Sequence, residues 1–140
     1  DLSMVADDVQ VDEFQRIDFI KTQQKDLYAM SSKISGKLKP EFQHKIGTVM
    51  KTLLPAGSIL GAPKPKTLEI IAEAENYDRG FYTGVCGWFD GENLDSCVMI
   101  RFIEKENGKL FFKSGGGITH LSKFADEYKE MKNKIYVPIH

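Results

Sequence analysis

Alternating apolar and polar positions predict β-strands in the first part of the chain. Between residues 9 and 38, β-branched and aromatic side chains recur with a loose period of two. This pattern is typical of antiparallel strands. The positions that carry it are Val9, Val11, Phe14, Ile17, Phe19, Ile20, Tyr28 and Ile34. We therefore expect two or three strands that form a meander and end at Gly36.

Helical periodicity follows in the next two segments. Apolar residues between residues 40 and 53 keep near-helical spacing, and Pro40 suits the first turn of a helix. This predicts one helix over residues 40–53 that packs on the sheet. A loop rich in glycine and proline then leads, within residues 53–75, into a second helix with a wide apolar face. The start of that helix, near Lys64, suits either a tight loop or a bound carboxylate.

The first of two predicted hairpins joins residues 81–89 to residues 94–104. Both segments have the pattern of strands, and an Asp-Gly pair between them is a typical start of a tight turn. Loops of two or four residues both place Tyr82 on the same face of the sheet as Arg101.

Asn107-Gly108 marks the second hairpin. If these residues form a type I′ turn, the numbers of paired residues sum to 215, and Arg101 stands opposite Ser114. Both faces of the strand that carries Arg101 are apolar, as in a sheet covered on both sides, so we expect Arg101 to be buried. A buried guanidinium needs either a protein carboxylate or an anionic ligand as its partner.

Residues 113–134 combine a glycine triplet with a charged helix. Because Gly115, Gly116 and Gly117 carry no Cβ, their amides can approach a ligand closely. On the helix, at about 100° per residue, two carboxylates and an ammonium share one edge. These groups belong to Glu127, Glu130 and Lys134.

This charged edge has two interpretations. It can be a solvated face with an ion pair between Glu130 and Lys134. It can also offer two carboxylates to magnesium, which keeps several waters and needs few protein ligands. Spacing alone leaves both open. The predicted register, however, brings the edge, Tyr82, Arg101 and the glycine amides around one concavity, which suits a polycarboxylate bound with magnesium.

Composition narrows the class of protein. The chain has 140 residues, 41% of them hydrophobic, and a net charge of −1, which fits one domain with a sizeable core and no nucleic acid partner. No run approaches the roughly 18 apolar residues of a membrane span, and a signal-peptide pattern is missing, so we expect a cytoplasmic protein without membrane contact. Cys86 and Cys97 are expected to be buried thiols rather than a disulfide.

Five ordered blocks resemble the C-terminal half of the chorismate-utilising enzymes. They are PAGSILGAPKPKTLEII, RGFYTGVCGWF, IRFIE, SGGGIT and EYKEMKNK. The segment FDGENLDSCVMIRFIEKENGKLFFKSGGGIT is most similar to aminodeoxychorismate synthase component I, the para-aminobenzoate synthase branch. The resemblance implies an α+β fold in which two antiparallel sheets form a sandwich with helices outside. Residues 1–140 would supply about half of it, as the C-terminal part of a chorismate-binding catalytic domain whose N-terminal part is absent.

The resemblance also implies roles for residues already named. Glu127 and Glu130 would bind magnesium, which holds the ring carboxylate of chorismate. The other substrate-binding groups would be Tyr82, Arg101, the amides of Gly116 and Gly117, and Lys134. Two departures are notable, because many relatives carry a histidine where this chain has Ala29, and an Asp-Ser pair where it has Leu121-Ser122.

The implied reaction replaces the 4-hydroxyl of chorismate by an amino group on the way to folate. Ammonia would come from a glutamine amidotransferase subunit or domain. The attacking lysine, the acid catalyst and a third metal carboxylate of the family would precede Asp1. We therefore expect no catalytic residue in this chain and no turnover by the chain alone.

Two sets of alternatives stay open. Within the family, the chain can belong to an anthranilate, isochorismate or salicylate synthase. Outside it, the chain can be a non-catalytic fragment that only binds anions. Without its partner sheet, such a fragment is expected to expose a large apolar surface and to self-associate.

Overall fold

The computed structural model describes residues 1–21 and 26–135. They group into two units, Asp1–Leu54 and the residues from Pro55 onward, and each is considered separately. Both contain antiparallel strands and helices, which confirms the predicted α+β class. None of the described helices is both long and apolar enough to cross a membrane.

The first unit is built on a long two-stranded ribbon. Strand β1 (Ala6–Ile20) pairs with strand β2 (Leu27–Leu38) in antiparallel register. Three register shifts interrupt the ladder, and two residues of β1, Asp8 and Gln15, have positive φ. Bulges of this kind move side chains to the other face, which explains why the alternation is loose. The expected antiparallel strands are confirmed, but β2 continues past Gly36.

The helix predicted over residues 40–53 is wrong in its first half. A short 3-10 turn spans Pro40–Phe42, and the helix α1 begins later, at Ile46–Leu53. His44, with φ of 59°, lies in the left-handed region and prevents a continuous helix. The backbone N–H of Lys39 donates to the carbonyl of Val5 at 3.0 Å, joining the end of the ribbon to its start.

The second unit opens with two helices and closes with a third. Helix α2 (Gly57–Leu60) and helix α3 (Lys64–Ala74) follow the predicted loop-then-helix order, and Pro63 precedes the first turn of α3. Helix α4 (Phe124–Asn133) lies where the charged helix was predicted.

Two hairpins lie between α3 and α4. Strand β3 (Val85–Phe89) pairs with β4 (Leu94–Val98), and β5 (Phe102–Glu106) pairs with β6 (Lys109–Lys113). Every pair of the second hairpin sums to 215, from Phe102 opposite Lys113 to Glu106 opposite Lys109, as predicted. Asn107 and Gly108, which join β5 to β6, have φ of 50° and 78°, as a type I′ turn requires.

The first hairpin is shorter than predicted. Residues 80–83 form a turn instead of the start of β3, because Gly80 and Thr83 have positive φ. The returning strand stops at Val98 and resumes at Phe102. Arg101 lies in this break with φ of 54°, which no extended strand adopts.

The predicted burial of these strands is wrong. Ile100 and Ile103 are 40% and 44% exposed, and Arg101 is exposed as well. Cys86 and Cys97 are free and exposed rather than buried. Apolar faces were correctly located, but nothing in the described part of the chain covers them. The expected exposure of apolar surface is thus confirmed, while self-association stays a prediction.

The Asp90 carboxylate supports the turn between β3 and β4. Its Oδ1 accepts the backbone N–H groups of Asn93 at 2.7 Å and Glu92 at 2.8 Å. These hydrogen bonds, that from Asn93 first, lower the pKa of Asp90 from 3.8 to about 2. A carboxyl with a lowered folded-state pKa stabilises the fold above its unfolded pKa, and the contribution is lost as pH falls through the folded value.

We therefore expect Asp90→Ala to lower the Tm at neutral pH, measured by circular dichroism. The difference from wild type should shrink as pH falls from about 4 and vanish below about 2. Glu92→Ala is the matched control, because the backbone of Glu92, not its side chain, joins the turn. A loss in Tm that does not depend on pH would contradict the assignment.

Candidate functional site

The glycine loop (residues 115–117) lies against Tyr82. A Cβ added at Gly115 would collide with the Tyr82 hydroxyl oxygen, so the missing side chain at this position lets the two groups lie this close. The structure therefore brings Tyr82 to the glycine loop, as predicted. It does so from a turn rather than from a strand.

Arg79 and Glu75 hold the turn that carries Tyr82. Arg79 donates from Nε and Nη2 to the two Glu75 oxygens at 2.6 and 2.5 Å, and from Nη1 to the Thr83 hydroxyl at 3.0 Å. This bidentate pair lowers the pKa of the Glu75 carboxyl, mainly through its hydrogen bonds. The guanidinium carbon also lies 5.9 Å from the centre of the Tyr82 ring.

The sequence analysis missed this support. The available signal was the four-residue spacing between Glu75 and Arg79 at the end of α3. Tyr82 itself is half-buried, and this burial raises the pKa of its hydroxyl. Tyr82 therefore presents a neutral hydroxyl, which can donate a hydrogen bond to a carboxylate.

Glu127 lies on the other side of the glycine loop. Its Oε1 accepts a hydrogen bond from the Ser122 hydroxyl at 2.5 Å, which fixes the carboxylate. A Cβ added at Gly116 would be 3.5 Å from Oε2, an ordinary van der Waals contact, so Oε2 faces the loop. Ser122 in turn accepts the backbone N–H of Thr119 at 3.0 Å. The sequence analysis did not predict this positioning role of Ser122.

Glu130 and Lys134 form the ion pair of the first interpretation. Lys134 Nζ lies 2.7 Å from Glu130 Oε1, and this contact lowers the pKa of the Glu130 carboxyl. Glu130 is 57% exposed, so the pair contributes little to stability. This contact shows that Glu130 and Lys134 lie on one edge of the helix and that Glu130 already has a cation, whereas the Glu127 carboxylate is bonded to Ser122.

A groove of about 390 Å³ runs between the glycine loop and α4. Its lining combines one carboxylate and two hydroxyl-bearing side chains with apolar side chains. The lining residues are Gly116, Ile118, Ser122, Phe124, Glu127, Tyr128 and Met131. This volume lies in the range of small-molecule sites, which are mostly apolar with a few placed polar groups.

Arg101 is the predicted site residue whose environment differs most. It is exposed, and it precedes the first pair of β5 and β6, so the predicted pairing with Ser114 is not formed. Because Arg101 is exposed, its guanidinium is not part of a buried structural ion pair. The carboxylate of Glu75 is bound to Arg79.

The carboxylates of Glu127 and Glu130 meet only some of the requirements of a magnesium site. Among the residues that the structure describes, no three His, Cys, Asp or Glu side chains are grouped as metal ligands would be. Glu127 has one oxygen oriented by Ser122 and one that faces the loop, while Glu130 would have to exchange Lys134 for the metal. Two carboxylates are sufficient for magnesium, which keeps several waters.

Comparisons with known proteins show which proteins this chain resembles. The family described as chorismate binding enzyme matches residues 1–140. An "Uncharacterized PabA-like protein" of Haemophilus influenzae is 54% identical over 139 residues, which cover 99% of this chain and 42% of that relative. The chain thus spans less than half the length of that relative.

Two further relatives have more specific names. "Anthranilate synthase component 1" of Saccharomyces cerevisiae is 39% identical over 106 residues, 74% of this chain and 20% of that protein. "Aminodeoxychorismate synthase component 1" of Bacillus subtilis is 37% identical over 106 residues, 75% of this chain and 22% of that protein.

Proposed function

This chain belongs to the chorismate binding enzymes, and from that premise we propose that it is the chorismate-binding part of an aminodeoxychorismate synthase component I. The complete protein would convert chorismate and ammonia into 4-amino-4-deoxychorismate, for para-aminobenzoate and folate synthesis. A glutamine amidotransferase subunit or domain would supply the ammonia. The segment from residue 89 to residue 119 carries the resemblance to this branch.

One observation carries the proposal. The Tyr82 hydroxyl lies beside Gly115, and the Glu127 carboxylate lies beside Gly116. A hydrogen-bond donor and a carboxylate thus reach neighbouring positions of a loop that has no side chains of its own. Such a loop lets a ligand approach the backbone amides, and chorismate has two carboxylates to place.

Each group has a distinct role in the proposal. Tyr82 and Arg101 bind the enolpyruvyl carboxylate. The amides of Gly116 and Gly117 assist them, and Lys134 lies near a substrate carboxylate. Arg101 is exposed and needs no buried protein partner, so its planar guanidinium is free to pair with a carboxylate in bidentate fashion.

Glu127 and Glu130 would hold magnesium at the open side of the loop. Bound there, magnesium would neutralise the ring carboxylate and polarise the substrate. Ser122 keeps the Glu127 carboxylate oriented by donating to Oε1. The attacking and proton-donating groups are proposed to come from residues outside this chain.

Two alternatives within and outside the family have their own support. An anthranilate synthase is supported by the yeast relative, whose identity to this chain is 39% against 37% for the aminodeoxychorismate synthase of Bacillus subtilis. An isochorismate or salicylate synthase would use the same groove. An anion-binding module is supported by the ion pair that already occupies Glu130.

Product analysis tests the proposal. The complete protein is incubated with chorismate, magnesium and ammonium, and the products are separated by chromatography with mass detection. We expect 4-amino-4-deoxychorismate. Anthranilate, isochorismate or salicylate as the product would overturn the branch and keep the family chemistry, whereas chorismate binding without consumption would favour the anion-binding module. The described chain alone should give no product.

A further inference from the structure

Two cysteines face each other across the first hairpin. Cys86 in β3 and Cys97 in β4 are Cα partners, and their Sγ atoms are 3.6 Å apart. They are the two cysteines of the chain, and both are exposed. We propose that they form a reversible modification site, at which a low-molecular-weight disulfide such as oxidised glutathione converts the two thiols into one intramolecular disulfide.

The backbone places the two cysteines within reach of a disulfide. The N–H of Met99 donates to the carbonyl of Gly84 at 2.8 Å, which identifies a hydrogen-bonded pair two steps along the ladder. Because such pairs alternate with non-hydrogen-bonded ones, Cys86 and Cys97 form a hydrogen-bonded pair, with Cα atoms about 5.5 Å apart, inside the roughly 4.4–6.8 Å range of disulfides. The Cβ atoms of such a pair are about 5 Å apart, whereas a disulfide needs roughly 3.5–4.5 Å. Side-chain rotation together with a small approach of the two strands therefore joins the sulfurs.

The pKa of the Cys97 thiol is raised, chiefly by the hydrogen bond it shares with Cys86 and also by the charge of Asp95. Both thiols are exposed, so a disulfide in solution can reach either sulfur.

The exchange balances without a further reactant. The thiolate of one cysteine attacks one sulfur of the disulfide RSSR, forms a mixed disulfide and releases one RS⁻. The other cysteine then loses its proton to solvent and attacks the sulfur of the first, which releases the second RS⁻. The cysteine pair loses two electrons, RSSR gains them, and the two protons end on the released thiols. Exposed disulfides are the reducible ones, so an excess of reduced glutathione reverses the reaction.

Peptide mapping provides a direct test. The complete protein is incubated in its native state with oxidised glutathione, quenched with acid and digested with trypsin. Cleavage after Arg79 and Arg101 places both cysteines in one peptide, residues 80–101. We expect this peptide to be lighter by two hydrogen atoms, and to regain them after treatment with reduced glutathione. Additional cleavage before Asp90 should leave two halves joined until they are reduced.

Single variants separate formation of the intramolecular disulfide from simple adduct formation. Cys97→Ser should accumulate a glutathione adduct at Cys86, because the resolving thiol is missing, whereas wild type should not. Stable adducts on both cysteines of the wild type, or a disulfide between two chains, would overturn the proposal. So would cysteines that resist both oxidised glutathione and an alkylating reagent in the native complete protein, because the pair would then be covered.

Discussion

In the complete protein, Gly115→Ala should lower kcat/KM for chorismate by about a hundredfold, the scale expected when a binding group is displaced by about 1 Å. The added methyl group would collide with the Tyr82 hydroxyl. Arg79 and Glu75 hold the turn that carries Tyr82, so the collision is relieved by movement of the Tyr82 side chain or of the glycine loop. Steady-state kinetics at saturating magnesium measure the effect.

Gly47→Ala is the matched control for this prediction. It adds the same methyl group at an exposed glycine outside the candidate site, where nothing lies within 4 Å. We expect Gly47→Ala to retain kcat/KM within about threefold, since an exposed substitution away from structural features changes energies by about 0.5 kcal/mol or less. Equal losses for the two variants would show that the effect of Gly115→Ala does not come from its contact with Tyr82.

Turn chemistry made part of this fold predictable from the sequence. Asn107 and Gly108 favour positive φ at both central positions of the second hairpin, and this local preference fixes the register up to Lys113. The same register failed one residue later, at Arg101. Residues 94–104 contain no glycine or proline that would mark the break, so alternation alone predicted an uninterrupted strand.

The sequence predicted the positions of the apolar strand faces better than it predicted their burial. An apolar pattern indicates which faces avoid water, but it does not show what covers them. Cys86, Cys97 and Ile103 were therefore assigned to a core although the structure exposes them. The predicted need of Arg101 for a buried partner rested on the same assumption of burial, so it is wrong as well. Its proposed role as a carboxylate ligand does not depend on burial.

In the candidate site, too, some contacts follow from the sequence pattern and others do not. The ion pair of Glu130 with Lys134 follows from helical spacing and was one of the two interpretations of the charged edge. The bond from Ser122 to Glu127 depends on the path of the chain before α4, and no spacing rule indicates it. This contact distinguishes two carboxylates that look equivalent in the sequence. Substitutions of Glu127 and of Glu130 are therefore expected to differ in their effect.

Glu127→Gln should lower the magnesium-dependent affinity for chorismate by at least about tenfold. Loss of a residue that only orients a metal ligand costs about 10–100-fold in metal affinity, and loss of the ligand itself should cost no less. The amide oxygen of the variant can still accept the Ser122 hydroxyl, so the local fold should be retained. Isothermal titration calorimetry of the complete protein, with and without magnesium, gives the comparison.

Glu130→Gln is the matched control, and we expect its effect to be smaller. The Glu130 carboxylate is exposed and already paired with Lys134, so its removal both takes away a ligand and frees a cation near the substrate. In the absence of magnesium, neither variant should bind chorismate more weakly than wild type, because a lost metal ligand matters only when the metal is present. An unchanged magnesium dependence in Glu127→Gln would remove Glu127 from the metal site and, with it, the main support for magnesium at this loop.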